Sequence, residues 1–280
     1  DGLEKLPLAP DVAPAVEGHL PGYAEFLEDR PVVVDRGRKA VAATLESLVD
    51  TERIDFVVAN VENAAGGFGV TAPVLSQLEE LPIDVFTTGN HVWDKKEGVP
   101  LLDAHPALLR PANYPDGNPG RGWCVEEVAV VNLQGQALMA PIDNAFRAAD
   151  RVLDEISAAH PTVKIILVDM HAEATSEKQA MGWYLDGRVT AVLGTHTHVP
   201  TADERLLPNG TAFQTDVGMT GPYDSIIGMR PEKVLERFLL NTPRPFEPAK
   251  RNVQLRGAMV DADESTGRAV DTRRVRLDAA

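Results

Sequence analysis

The stretch Asp55-Phe-Val-Val-Ala-Asn60 decides the fold, because it places four apolar residues in an unbroken run ahead of a helical pattern over Pro73 to Leu81. An unbroken apolar run of this length is typical of a strand that is buried on both faces of its sheet. A strand followed by a helix is the repeating unit of α/β proteins. This stretch therefore predicts an α/β fold.

The same alternation recurs along the chain. Strand-like segments precede helical ones at Pro31–Asp35 before Arg38–Val49, at Asp84–Gly89 before Lys95–Leu102 and at Val163–Asp169 before Ser176–Leu185, while Val189–Gly194 precedes a long loop. Segments of antiparallel character follow at Val125–Leu133, Val253–Asp261 and Ala269–Leu277. We predict a largely parallel central sheet with helices on its faces.

Composition limits the class of protein. The 280 residues carry a formal net charge of −15, which argues against binding to a nucleic-acid backbone. The one cysteine, Cys124, cannot form an intrachain disulfide, as expected in a reducing cytoplasm. The apolar runs are too short to span a bilayer, and the N-terminus lacks the pattern of a secretory signal. We expect a cytoplasmic protein that does not associate with membranes.

Residues 1–30 differ from the rest of the chain. They are rich in Pro, Glu and Asp and show no sustained periodicity. We predict a loosely ordered N-terminal segment over 1–30 and a single domain over 31–280.

Side chains that can bind metal follow the buried strands at their carboxyl ends. They are Glu62, Asn63, Asn90, His91, His171, His196 and His198. Alone, each histidine would be an ordinary loop residue, and Glu62-Asn63 would be a turn. The carboxyl ends of parallel strands meet at one edge of a sheet, where ligands bind. Because so many possible ligands follow the ends of these strands, we predict a metal site at this edge.

The ligand types indicate the metals and the chemistry. Imidazole nitrogens combined with carboxylate and amide oxygens, without thiolate, suit Mn, Fe, Zn or Co better than Ca or Mg alone. Two such ions, about 3.5–4 Å apart, stabilise both the attacking and the leaving oxygen of a displacement at phosphorus. The pattern favours a two-metal phosphoesterase.

Long blocks around these residues resemble the calcineurin-like metallophosphoesterases, and closely the bacterial YmdB-type family of 2′,3′-cyclic-nucleotide phosphodiesterases. The resemblance covers roughly residues 37 to 280, and its blocks are Asp55–Gly69, Thr88–Lys96, Leu109–Pro115, Asp169–Lys178, Gly194–Arg205 and Thr215–Ser225. It implies the family fold, a four-layer α/β/β/α sandwich with two mixed sheets.

The resemblance also implies roles for the matching residues. Two divalent transition-metal ions, Fe or Mn foremost and Zn or Co as options, would be bridged by Glu62. One site would be completed by Asn90, His171 and His196, and the other would be served by His198 and Asn63. His91 would be the general acid that protonates the leaving oxygen.

One family motif is incomplete here. In the family, an apolar strand ends in Gly-Asp, whose aspartate binds the first metal, and a Gly-rich loop leads to Gly-Arg. Gly37-Arg38 matches only the end of this motif. Asp35 ends the Val32–Val34 run but leaves too short a loop, whereas Asp29 leaves a slightly long loop after a stretch that looks helical. We take Asp35 as the expected ligand, with Asp29 or neither as alternatives.

The implied activity is hydrolysis of 2′,3′-cyclic nucleotides, or other small phosphodiesters, by metal-activated hydroxide with a histidine general acid. We expect no stable nucleic-acid complex and leave a homo-oligomer open. A metal-dependent hydrolase acting on carbon, such as an amidohydrolase, is disfavoured because its His-x-His pair comes early, whereas His196 and His198 come late. A catalytically impaired, metal-binding regulatory protein of the same fold is the remaining alternative, supported by the incomplete motif and opposed by His91.

Overall fold

The structure is a computed structural model that describes residues 31–243 and 245–279, with side chains described from Asp35 onward. Its α-helices are α1 (Pro31–Glu52), α2 (Ala72–Glu79), α3 (Val99–Ala104), α4 (Ala145–Ala159), α5 (Thr175–Leu185) and α6 (Pro231–Leu240), and a 3₁₀ turn, Lys96–Gly98, precedes α3. Proline stands in the first turn of α2, α3 and α6, where its missing N–H costs nothing. The predictions for residues 1–30 and for Asp29 lie outside the described residues.

The strands are short except for the last two. They are β1 (Val58–Asn60), β2 (Val85–Thr87), β3 (Trp123–Val125), β4 (Ala129–Gln134), β5 (Ile166–His171), β6 (Ala191–Thr195), β7 (Arg205–Leu206), β8 (Ala212–Gln214), β9 (Gly221–Pro222), β10 (Val253–Ala262) and β11 (Ala269–Asp278). Strands alternate with helices over the middle of the chain, so the predicted mixed α/β fold is confirmed.

Three sheets are formed by the described strands. The largest has the order β3-β4-β5-β6-β8-β7, with β4, β5, β6 and β8 parallel and β3 and β7 antiparallel at its edges. Strands β1 and β2 form a parallel pair, and β11-β10-β9 form an antiparallel sheet. The sheets are thus both parallel and mixed, in keeping with the four-layer sandwich that the sequence resemblance implies.

Both faces of the six-stranded sheet are buried, as continuous apolar strands predict. On one face, Met170 and Phe213 pack with Met181 of α5 and Ile156 of α4. On the other face, Val130 and its neighbours pack against Val85 of β2. This packing brings the carboxyl end of β2 next to those of β5 and β6.

The strand predicted at Pro31–Asp35 is wrong, because these residues begin α1. Asp35 forms ion pairs with Arg38, 3.4 Å away, and with Lys39, 2.7 Å away. Pairs at these spacings stabilise a helix and are unavailable to a strand.

The segment Val125–Leu133 is also not one strand. It is divided between β3 and β4, with a turn at residues 126–128. Strand β4 is antiparallel to β3, as the sequence suggested, but parallel to β5 on its other edge.

Candidate metal centre

Four strand ends deliver the predicted ligands to one place. His171 is the last residue of β5, and His196 directly follows β6. Glu62 lies two residues after β1, and Asn90 lies three residues after β2. Strands β1 and β2 form one parallel pair, and β5 and β6 are parallel neighbours in the six-stranded sheet. Because the two sheets pack against each other, residues that are more than a hundred positions apart in sequence become neighbours.

The ligand atoms of these residues converge. Nε2 of His171 lies 3.1 Å from Oδ1 of Asn90 and 3.0 Å from Nδ1 of His196, and it contacts Oε2 of Glu62 directly. Ligand atoms of Glu62, His171 and His196 all lie within 4.8 Å of one another, the one such His/Cys/Asp/Glu group in the described part of the chain. The structure therefore assembles the set that the sequence assigned to one metal.

A divalent cation fits this group. Oε2 of Glu62 is buried and accepts no hydrogen bond, although a buried carboxylate oxygen needs a partner. Gly89 keeps space open beside it, because a Cβ atom there would overlap Oε2 of Glu62 and Nε2 of His171. An anionic oxygen, an amide oxygen and two imidazole nitrogens around this point are the ligands that Mn, Fe, Co and Zn accept.

Electrostatics favour the ligating protonation states of Glu62 and His196. Burial alone would raise the pKa of Glu62, but His171 beside it, with His91 and His196, outweighs burial and lowers it to about 2. Burial lowers the pKa of His196 to about 3, and neighbouring His171 lowers it further. Burial alone would lower the pKa of His171, but Glu62 outweighs it and raises that pKa. At neutral pH the centre thus offers a carboxylate and a neutral His196 imidazole.

A chain of hydrogen bonds fixes the tautomer of His171. The hydroxyl of Thr195 donates to Oδ1 of Asp169 over 2.6 Å, so its oxygen accepts from Nδ1 of His171 over 2.9 Å. Asp169 also accepts from Asn60 over 2.9 Å and from Thr87. With Nδ1 protonated, Nε2 of His171 keeps its lone pair for a metal.

His196 is oriented by a second carboxylate. Its Nε2–H donates a hydrogen bond to Oε2 of Glu173 over 3.1 Å, so Nδ1 faces the group. The backbone of His196 adopts φ 98°, and that of His198 adopts φ 66°. Left-handed conformations at residues other than glycine cost on the order of 1–3 kcal/mol each and cluster at functional sites.

His198 and Asn63 lie together beside the first group. Nδ2 of Asn63 is 3.1 Å from Nε2 of His198, and turning the Asn63 amide by a half rotation would place its oxygen there. Both residues, with His171 and His196, line a cavity of about 1120 Å³ that runs between the sheets. The strands β1 and β10 also line this cavity.

His91 lies at the rim of the centre. Its Nε2 is 3.7 Å from Oε1 of Glu62, and its Nδ1 donates to Oδ2 of Asp94 over 2.7 Å. The side chain of His91 is 13% exposed, so Nε2 can reach a molecule that enters from solvent. Asp94 holds the ring with Nε2 turned towards the centre.

Asp35 is not part of this group. Its carboxylate, 45% exposed, binds Lys39 and Arg38 on α1. The hydrogen bond from Lys39 lowers the pKa of Asp35, against an opposing effect of burial and with the help of the nearby positive charges. As a metal ligand, Asp35 stays a prediction that these contacts do not support.

Several supporting residues were not identified from the sequence. Thr195, Asp169 and Asp94 each lie within three residues of a predicted ligand, yet nothing in their spacing shows which one would orient a ring. Glu173 lies two residues after the predicted ligand His171, yet it contacts His196. Gly89 precedes Asn90, and its role follows from packing alone.

Comparisons with known proteins show the family of this chain. A family model described as YmdB-like protein matches residues 30–275. The chain belongs to the YmdB-like family. A 2′,3′-cyclic-nucleotide 2′-phosphodiesterase of Bacillus subtilis is 46% identical over 249 residues, which cover 87% of this chain and 93% of that protein. A putative phosphatase/phosphodiesterase of Mycoplasma pneumoniae is 34% identical over 253 residues, which cover 86% of this chain and 88% of that protein.

Two solved structures share the fold of this chain. A hypothetical protein from Thermus thermophilus has a TM-score of 0.81 at 42% identity, covering 90% of this chain and 98% of that one. A novel phosphatase from Mycoplasma pneumoniae has a TM-score of 0.80 at 32% identity, covering 87% of this chain and 89% of that one. These relatives support the prediction of a hydrolase. Among the described residues, no helix is both long and apolar enough to cross a membrane.

Proposed function

We propose that this chain is a metal-dependent phosphodiesterase that hydrolyses 2′,3′-cyclic nucleotides. The observation that carries the proposal is the convergence of Glu62, Asn90, His171 and His196 at a point that Gly89 keeps open. The name of the Bacillus subtilis relative, 46% identical, supplies the substrate class.

Two divalent transition-metal ions, Fe or Mn by preference, would be held by this centre. Asn90, His171 and His196 would bind one ion, His198 and Asn63 would bind the other, and Glu62 would lie between them. When bound, such ions lower the pKa of water and neutralise charge on phosphoryl oxygens. Thr195 and Glu173 keep His171 and His196 in the tautomers that leave the inward nitrogen free.

His91 would act as the general acid. Its Nδ1–H is held by Asp94, and its Nε2 faces the centre next to Glu62. A proton on Nε2 would pass to the ribose oxygen that leaves phosphorus, and the contact of Nδ1 with Asp94 would keep Nε2 turned towards that oxygen. Hydrolysis of the 2′ bond would leave a 3′-phosphate as product.

The small phosphodiester would enter from the solvent-facing rim where His91 lies. Nothing in the acidic composition favours a stable complex with a long nucleic acid. We keep a cytoplasmic location and a homo-oligomer as open expectations.

The experiment is hydrolysis of 2′,3′-cyclic AMP by protein that is stripped with a chelator and then reloaded with Mn²⁺ or Fe²⁺. We expect 3′-AMP only after reloading, and loss of this activity in Glu62→Gln. Glu155→Gln is a matched control, because Glu155 is a carboxylate that only accepts a hydrogen bond from Trp123, 3.0 Å away. Metal uptake without hydrolysis would favour the catalytically impaired regulatory protein, and hydrolysis without metal would contradict the proposal.

A further inference from the structure

The loop between the two late histidines is held in an unfavourable backbone conformation. His196 has φ 98° and His198 has φ 66°, and Thr197 lies between them. Residues with a Cβ atom leave such conformations unless the surroundings hold them there. Some contact must therefore fix Thr197.

Asp216 makes that contact. Its Oδ2 accepts hydrogen bonds from the backbone N–H of Thr197 over 3.1 Å and from the Thr197 hydroxyl over 2.8 Å. Its Oδ1 accepts from the N–H of Gly218 over 2.8 Å. Asp216 is 1% exposed, so water cannot compete for these bonds. The carboxylate ties the histidine loop to the loop that follows β8.

Lys178 fixes Asp216 in turn. Its Nζ donates to Oδ2 of Asp216 over 2.6 Å, and the side chain is fully buried. Gly194 in β6 leaves room both for the backbone of Thr215, which a Cβ atom there would overlap, and for Lys178, whose Cδ would lie 2.9 Å from that Cβ atom. A buried ammonium is stable only beside its counter-charge, so this pair cannot drift apart. The ammonium points to Asp216 and is not available to bind a substrate phosphate.

We propose that the Lys178–Asp216 ion pair is a positioning device for the metal centre. It holds Thr197 and thereby keeps His196 and His198 in the backbone conformation in which their inward nitrogens meet the other ligands. The inference rests on the proposed function and adds to it three residues that touch neither metal nor substrate.

If the ion pair only stabilised the fold, the other hydrogen bonds of Asp216 would not need to end on the histidine loop. Two of the three bonds to Oδ2 end on Thr197, which is flanked on both sides by expected ligands. When the hold on Thr197 is weakened, the loop can relax towards right-handed φ values, and Nδ1 of His196 then leaves its place 3.0 Å from Nε2 of His171. Metal affinity should fall well before the fold is lost.

The test compares two threonines that both bind Asp216. Thr197→Val removes a hydroxyl on the histidine loop and leaves the buried ion pair intact. Thr201→Val removes a hydroxyl that accepts from the backbone N–H of Asp216 over 2.9 Å but lies outside the stretch between the two histidines. For each variant, the dissociation constant for Mn²⁺ is measured by calorimetry on metal-free protein, and the melting temperature is measured in excess chelator.

We expect Thr197→Val to weaken Mn²⁺ binding by about tenfold or more, and Thr201→Val by less than about threefold, with similar melting temperatures for the two metal-free variants. Thr197→Ser, which keeps the hydroxyl, should restore binding. Equal Mn²⁺ affinity in Thr197→Val and wild type would overturn the inference and leave the proposed function intact. Wild-type protein that binds no Mn²⁺ would overturn both.

Discussion

Gly89 packs directly against the ring of His171, and a Cβ atom built on it would overlap Nε2 and Cδ2 of that ring. The same Cβ atom would overlap Oε2 of Glu62. The space next to Gly89 is therefore the point on which the ligands converge, and it stays open because glycine has no Cβ atom.

Gly89→Ala should abolish metal binding, because Glu62 and His171 must move apart to admit the methyl group. A misplacement of about 1 Å at such a centre costs about a hundredfold in activity. The measurement is metal content after reloading and dialysis. Gly257→Ala is the control: the atom nearest to its added Cβ is Cβ of Val275, 4.0 Å away, so it should load like wild type. Full loading of Gly89→Ala would show that the ion lies elsewhere.

His91→Ala should keep its metal but lose turnover by about 10²–10⁴, the usual contribution of a well-placed general acid. The reason is that Nε2 of His91 faces the centre, while Glu62 and the other ligands remain in place. The measurement pairs kcat on 2′,3′-cyclic AMP with metal content. His105→Ala, which removes a histidine–glutamate pair of 3.0 Å with Glu79, should leave both unchanged. Activity of His91→Ala close to wild type would exclude His91 as the acid.

Thr195→Val should weaken metal binding by about 10–100-fold, because it breaks the hydrogen-bonded link from Asp169 to Nδ1 of His171. His171 is then no longer held in the tautomer that leaves Nε2 free for a metal. Thr190→Val is a matched change just before the same strand. It removes bonds to Gly267 and Ile166, so it should lower the free energy of unfolding by roughly 1–3 kcal/mol without changing metal affinity. Calorimetric titration with Mn²⁺ and denaturant unfolding separate the two effects. If both variants lost affinity equally, the tautomer argument would fail.

Cys124 should be unreactive in the folded protein. Burial, with a smaller effect of Glu126, raises the pKa of its thiol to about 11. The reactive thiolate therefore forms only as the pH approaches 11 and is roughly a thousandth of the population at pH 8. A chromogenic disulfide reagent at pH 8 should label the native chain slowly and label the denatured chain at once. Rapid labelling of the native chain would show that the thiol is accessible.

The sequence predicted the parallel strands because their apolar residues are consecutive and local. Strands β1, β2, β5 and β6 were placed correctly, and with them the ligands that follow. Helix α4 was not predicted, although Asn144 caps it by accepting the N–H groups of Phe146 and Arg147. Both signals were present in the sequence, because the buried residues Ala145, Ala148, Ala149, Val152 and Ile156 also recur at helical spacing.

Errors arose where strand propensity competed with helical side-chain pairs, and supporting residues were missed where contacts are not local. Val32–Val34 has strand propensity, yet the ion pairs of Asp35 with Arg38 and Lys39 belong to a helix. Asp35 as the carboxylate ligand beside His198 stays a prediction, which its ion pairs on α1 do not support. The supporting bonds of Thr195, Glu173 and Asp216 depend on which side chains meet across strand ends. A single sequence does not show which of these side chains will be in contact.

The central claim is tested most directly by a crystal structure of the protein soaked in Mn²⁺, with anomalous scattering recorded near the Mn absorption edge. The account predicts a peak within about 2.0–2.3 Å of Glu62, Asn90, His171 and His196, beside Gly89. A second, weaker peak is expected at His198 and Asn63. No peak among these residues, in a crystal whose protein hydrolyses 2′,3′-cyclic AMP with Mn²⁺ in solution, would contradict the account.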